Sequence, residues 1–241
     1  DDLENALKKL ESGPEPLQGL VLDFRDNGGG LLDQAIKVSD MFLDNGLILT
    51  IKGRLPRNSK EFKAHSNDVQ RTYPIVALIN GGSASASEIV VGALQDNHRA
   101  LVLGTTSFGK GSVQTVEQLR EGYGLKLTIA RYYTPSGRSI QAKGIEPDIV
   151  VRKRIVDEED LKSSDDGHLK ESDLKNHLEA KPEDEDNQPS KTDQKKKKSP
   201  QQQELELRHG PLTAEKLQRD YQVQRALEIL IGYDVFKNLK G

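Results

Sequence analysis

Apolar positions along this chain change period several times, and each change marks an element. Leu3, Ala6, Leu7 and Leu10 recur every three or four residues, a short helical stripe. Gly19-Leu20-Val21-Leu22-Asp23-Phe24 is instead a continuous run ended by three glycines, which predicts a buried strand. Helical spacing returns from Leu31 to Leu43 through Ala35, Ile36, Val38 and Met41, and Leu47–Ile51 predicts the next strand. Pro74 opens a strand at Ile75–Ile79; small residues follow, then a helix from about Ala84 to Asn97 and a strand at Ala100–Gly104. Repeated strand–helix–strand units with Gly-rich crossings define an α/β layered domain. After Gly111, Leu125–Ala130 alternates as an antiparallel or edge strand does. A last helix is predicted from Thr213 to Ile231, with Pro211 and Thr213 as entry signals. Its stripe of Leu217, Tyr221, Leu227 and Leu230 requires a core to dock on. There is no internal repeat.

Composition divides the 241 residues unevenly. From Asp157 to about Glu204 a few Leu and one Ala are scattered among charge runs, acidic at Glu183–Asp186 and basic at Lys195–Lys198. Such a segment cannot bury enough apolar surface to offset its ordering entropy. The expected organisation is a core at 1–154, a disordered charged linker at 155–206, and a C-terminal helix at 207–241 that docks on the core. Lys195–Lys198 reads as part of a solvated linker rather than a polyanion site. A balance of 35 basic and 38 acidic side chains argues against a nucleic-acid partner. The absence of Cys excludes a disulfide scaffold and Cys-ligated metal. No apolar run reaches 18 residues, so no membrane span is expected. A start at Asp1 without a leader points to a processed product or an excised piece.

Candidate chemistry narrows quickly. His168, His177 and His209 fall in or at the end of the charged segment, His65 in a polar stretch, and His98 at a helix end. Neither a Gly-x-Ser-x-Gly elbow nor His-Glu-x-x-His occurs, which leaves a Ser-His-Asp hydrolase or zinc peptidase little support. Gly104-Thr-Thr-Ser-Phe-Gly109-Lys110 follows a strand like a phosphate loop, but Gly111 stands where a magnesium-binding Ser or Thr belongs. Gly28-Gly29-Gly30 lacks dinucleotide spacing; it suggests instead backbone N–H groups closely facing a ligand. Asn80-Gly-Gly-Ser-Ala-Ser85-Ala-Ser-Glu88 leaves a buried strand and enters a helix. Serine there can simply cap the helix, or present its hydroxyl with the next N–H aimed at an oxyanion. Lys110 lies one helix and one strand later, at the same sheet edge. Enclosure by neighbours such as Phe108 would favour its neutral, basic form. Gln114 shares a face with Lys110 if the segment is extended, where its amide could orient the amine. A serine with a distant lysine is by itself far more often structural.

The longer segments add a family resemblance. Leu22-Asp-Phe-Arg-Asp-Asn-Gly-Gly-Gly30-Leu-Leu, Gly82-Ser-Ala-Ser-Ala-Ser-Glu88-Ile, Gln95-Asp96, Gly104-Thr-Thr-Ser-Phe-Gly-Lys110-Gly with Val113-Gln114, and Tyr133-Thr-Pro-Ser-Gly-Arg-Ser-Ile-Gln141 through Asp148 occur in family order. Over about Leu17 to Val151 the chain resembles the C-terminal processing (tail-specific) peptidases, serine endopeptidases with a Ser–Lys dyad. The resemblance implies Ser85 as nucleophile, Lys110 as general base and Gln114 as the amide that orients it. It implies oxyanion donors at Ala86 and at Gly29 or Gly30, with Asp96 as a supporting acid. It also implies a crotonase-like α/β spiral of sheets and helices and an exported, periplasmic location in a bacterium. No metal or cofactor is implied. The partners would be protein substrates bound by their C-termini, with a homo-oligomer or adaptor as a further prospect. Two departures stand out. Gly28 replaces a customary proline, and the PDZ domain that precedes this core in the family would end before Asp1. Rival readings are a catalytically silent partner-binding fragment and a crotonase-like acyl-thioester enzyme.

Overall fold

In the computed structural model, residues 2–66, 69–154 and 213–239 are described. The expected disordered linker, with Lys195–Lys198, His168 and His177, lies outside them, as does His209. Asp1–Arg154 with Tyr221–Gly241 make one compact unit, and Ile155–Asp220 a second.

The first unit holds two sheets. One is parallel throughout, in the order β1 (Leu20–Asp23), β4 (Ile75–Ile79), β5 (Leu101–Gly104), β8 (Ile149–Val150). The other is antiparallel, in the order β3 (Lys60–Lys63), β2 (Leu47–Gly53), β7 (Gly124–Tyr133), β6 (Ser112–Gln118). Helices α1 (Asp2–Glu11), α2 (Leu32–Asp40) and α3 (Ala86–Asp96) complete the layers. β4 is buried at every position because both of its faces are covered, the reason its sequence is an apolar run rather than an alternation. One face carries Ile75, Ala77 and Ile79 into the larger core with α3; the other carries Val76 and Leu78 into a smaller one. α3 is buried through Leu94, which explains why its apolar residues form no single stripe.

The C-terminal segment differs from the single predicted helix. It is α4 (Ala214–Arg219) in the second unit, then α5 (Tyr221–Asn238) in the first, broken where Asp220 turns extended. Thr213 caps α4, its Oγ1 accepting from Lys216 N at 3.3 Å. Within its unit α5 lays Val223, Ala226 and Leu230 on Val76, Leu78, Leu103 and Val151, with Tyr221 packed alongside. Leu227 is 47% exposed and lies off that face, and Leu217 lies beyond the break. No helix among the described residues is long and apolar enough to cross a membrane.

This topology positions the site. In a parallel sheet the crossings that follow adjacent strands gather at the carboxyl ends, where open α/β sheets bind ligands. The turns after β1, β4 and β5 meet there.

Candidate active site

Three crossing turns are stitched together by hydrogen bonds. Asn80 Oδ1 at the end of β4 accepts from Asp26 N and Gly82 N, both at 2.9 Å, and its Nδ2 donates to Asp26 Oδ1 at 3.1 Å. Asn27 O accepts from Ala84 N and from Ser87 Oγ, each at 3.0 Å. Ser83 Oγ donates to Phe24 O at 2.7 Å. The turn after β5 joins through Phe108 N to Ser83 O, 2.9 Å, and is braced from behind by Gln141 Oε1, which accepts from Gly111 N at 3.1 Å.

Ser85 is the N-cap of α3 and half-buried, with φ 58° and ψ −114°. A non-glycine residue held in this region costs about 1–3 kcal/mol and marks a position that its surroundings overdetermine. The following N–H, that of Ala86, has no internal partner among the described residues. Opposite it stands the glycine turn. A Cβ on Gly29 (φ 89°) would lie 2.5 Å from Ala84 O and 2.7 Å from Ala86 N, so only glycine lets the two turns approach. Gly29 N–H already donates to Asn27 Oδ1 at 3.0 Å; Gly30 N–H, like that of Ala86, has no internal partner among the described residues. Beside these groups opens a cavity of about 170 Å³ lined chiefly by apolar side chains, among them Leu31, Ala35, Val38, Ala86 and Val90.

Sequence reasoning missed Glu88. It is 1% exposed and accepts four hydrogen bonds. Oε1 takes Ser107 Oγ at 2.6 Å and Gly109 N at 2.7 Å; Oε2 takes Ser85 N at 2.8 Å and Lys110 N at 2.9 Å. One carboxylate oxygen thus binds the main chain of both Ser85 and Lys110. The signal was present: a Ser N-cap with Glu three residues on is a capping box. As a motif it predicts only a helix start, and its burial could not be read from spacing. Glu88 also answers the phosphate-loop reading, because it occupies the Gly109 and Lys110 N–H groups that a phosphate would need.

The remaining candidates are placed as follows. Lys110 is exposed and Phe108 is 67% exposed, so the expected apolar enclosure of the amine is not found. The turn is held through backbone and Ser107, which leaves Phe108 free to point outward. Gln114 is exposed and its Nε2 donates to Thr128 Oγ1 at 3.5 Å; β6 begins at Ser112, so Lys110 is outside the strand whose alternation would align the two. Asp96 lies at the other end of α3. It pairs with Arg138 and accepts from Ser136 N at 2.9 Å, fixing the Thr134–Arg138 turn. Burial pushes its carboxyl up, but hydrogen bonds from Thr134 and Ser136 and the Arg138 charge outweigh that and hold it below the ordinary carboxylate value. His65 pairs with Asp40 at 3.1 Å, and His98 follows Asn97, the C-cap of α3; neither lies in these turns.

Three parallel-sheet crossings thus bring together a strained serine at a helix start, an opposed glycine turn and Lys110. The chain belongs to peptidase family S41, which it matches over residues 1–151. It is 52% identical over 184 residues to the carboxy-terminal-processing protease of Bartonella bacilliformis, covering 76% of this chain and 42% of that protein. It is 42% identical over 147 residues to the chloroplastic C-terminal processing peptidase of Tetradesmus obliquus, covering 61% of this chain and 31% of that one. Among solved structures, the photosystem II D1 C-terminal processing protease aligns with a TM-score of 0.55 at 38% identity, over 63% of this chain and 38% of that chain. The chain spans less than half the length of these relatives.

Proposed function

We propose that this chain carries the catalytic core of a serine endopeptidase that cleaves proteins near their C-termini through a Ser85–Lys110 dyad. The observation that carries the reading is the shared Glu88 oxygen, which holds the backbone of both residues in one place while Ser85 is strained at a helix start. Neutral Lys110 accepts the Ser85 hydroxyl proton as Oγ bonds to the peptide carbonyl carbon. The carbonyl oxygen becomes the oxyanion, held by the N–H groups of Ala86 and Gly30. Collapse breaks the C–N bond, and the ammonium of Lys110 returns the proton to the leaving amine. Water, deprotonated by Lys110, then releases the acyl group and restores Ser85. With Lys110 exposed, the bound peptide itself must cover the amine. Gln114 would orient Lys110 only after turning from Thr128, and Asp96 supports the 134–138 turn.

The apolar cavity beside Ala86 and Gly30 receives the side chain on the acyl side of the scissile bond, and its size suits small or branched apolar residues. The fold is read as a crotonase-like spiral, and the protein as an exported bacterial enzyme, periplasmic by family, acting as a homo-oligomer or with an adaptor. The thioester reading asks for a carboxylate acid or base. Glu88, the carboxylate at hand, already accepts four bonds. The test is cleavage of an unfolded protein with an apolar C-terminal tail. Ser85→Ala and Lys110→Ala are each expected to abolish it while far-ultraviolet dichroism is unchanged; near wild-type turnover in either variant sinks the dyad.

A further inference from the structure

Helix α5 carries a buried polar residue that covering the sheet does not require. Gln222, in its first turn, is 2% exposed, beside the Val223, Ala226 and Leu230 that do cover the sheet. A buried amide costs free energy unless it is hydrogen-bonded, so its partners indicate its use. Oε1 accepts from Arg25 Nη1 at 2.9 Å, and Nε2 donates to Val151 O at 2.6 Å. Arg25 is locked in turn, Nε donating to Asp23 Oδ1 at 2.9 Å and Nη2 to Asp23 Oδ2 at 2.6 Å. A planar fork bonded along both edges has little freedom. Arg154, stacked over the Tyr221 ring at 4.4 Å, clamps the same helix start.

The place of attachment gives this clamp its meaning. Arg25 stands between the end of β1 and the Asn27-Gly28-Gly29-Gly30 turn. Asp26 and Asn27, which follow it, bind Asn80, Ala84 and Ser87 around the Ser85 crossing. The helix start therefore grips, from the other side, the same segment that ends in the Gly30 N–H. Oxyanion donors work only when held within roughly half an ångström of their productive place. We infer that Gln222 is a positioning residue: through Arg25, docking of the C-terminal helix sets the glycine turn in register with Ser85, so α5 is part of what makes the site competent. The catalytic consequence rests on the acyl-transfer reading above.

The test uses the full chain with Gln222→Met, a near-isostere lacking both bonds, Gln222→Leu as a second apolar variant should the first not fold, and Gln222→Glu, which keeps an acceptor for Arg25. Hydrogen exchange over residues 24–30 is expected to quicken about ten-fold or more in Gln222→Met while β2 exchanges at the wild-type rate. In peptide cleavage, kcat per titrated Ser85 is expected to fall about ten- to thirty-fold with KM nearly unchanged, and Gln222→Glu, which keeps the acceptor for Arg25 but sets an oxygen against Val151 O, to recover part of it. A purely structural glutamine would lower the number of titratable sites and leave kcat per site alone. That result, or unaltered exchange over 24–30, overturns the inference. If the wild type neither cleaves nor labels at Ser85, the acyl-transfer reading fails instead, and the exchange measurement still decides the coupling.

Discussion

The crossing turns of the parallel sheet and the β6–β7 ribbon of the antiparallel one are built on opposite plans. Around Ser85 most polar groups are tied down, often twice, and strained backbone is tolerated because neighbouring turns hold it. In the ribbon the strands pair in regular register except for one bulge, yet Val116 is 63% exposed and Leu125 and Leu127 are also open to solvent. The first region resists change because buried donors and acceptors are costly to orphan, whereas the second loses little when a side chain is replaced. Chemistry belongs where geometry is overdetermined, and adaptable contact where it is not.

Substitutions should separate the two regions by size of effect. The largest is expected from Glu88→Ala, which removes the acceptor for Ser85, Ser107, Gly109 and Lys110 at once. A loss of about 3–5 kcal/mol in urea unfolding is predicted, with serine labelling abolished. Gly29→Ala comes next. Its methyl group meets Ala84 O and Ala86 N, so the turns must part, and kcat should drop by about a hundred-fold or more with a smaller loss of stability. If Gly29→Ala cleaves peptides at near wild-type rate, the opposed N–H groups are not the oxyanion donors.

Asp96→Asn is intermediate and carries a pH signature. A carboxyl held below its ordinary value in the folded state contributes stability that is full above the unfolded value and fades as acid carries the pH down through the folded one. Wild type should therefore lose stability on acidification below the usual carboxylate range, and Asp96→Asn should flatten that dependence. At neutral pH the variant should cost about 1–2 kcal/mol, discounted because Arg138 is half exposed. Equal acid slopes in the two proteins would remove Asp96 from this role. Last, Val116→Thr or Leu127→Thr in the ribbon should shift unfolding by less than about 0.5 kcal/mol. A larger shift would show that the ribbon is covered in the working protein.

How far the sequence foretold this contrast follows from what each region exposes. β1, β4 and β5 were legible because burial on both faces writes an apolar run. β3, with Lys60, Glu61 and Lys63, and β8, two residues long, carry too little apolar signal and were missed. The C-terminal helix was read through Leu227 because spacing cannot say which of two apolar faces meets the core. Strand order already placed the Ser85 and Lys110 turns at one sheet edge, but their roles came only from the family resemblance, since spacing over 25 residues does not specify which side chains meet. Glu88 hid inside an ordinary cap, and Phe108 misled because an apolar neighbour in sequence need not pack.

The central claim is that Ser85 and Lys110 form one proton-transfer unit. Its most direct measurement is the rate at which a serine-directed acylating probe modifies Ser85, followed by mass spectrometry in wild type and Lys110→Ala. Modification of Ser85 alone among the serines is predicted, with at least a hundred-fold slower reaction in Lys110→Ala and no change in fold. Equal labelling rates in the two proteins, or labelling spread over other serines, would contradict the account.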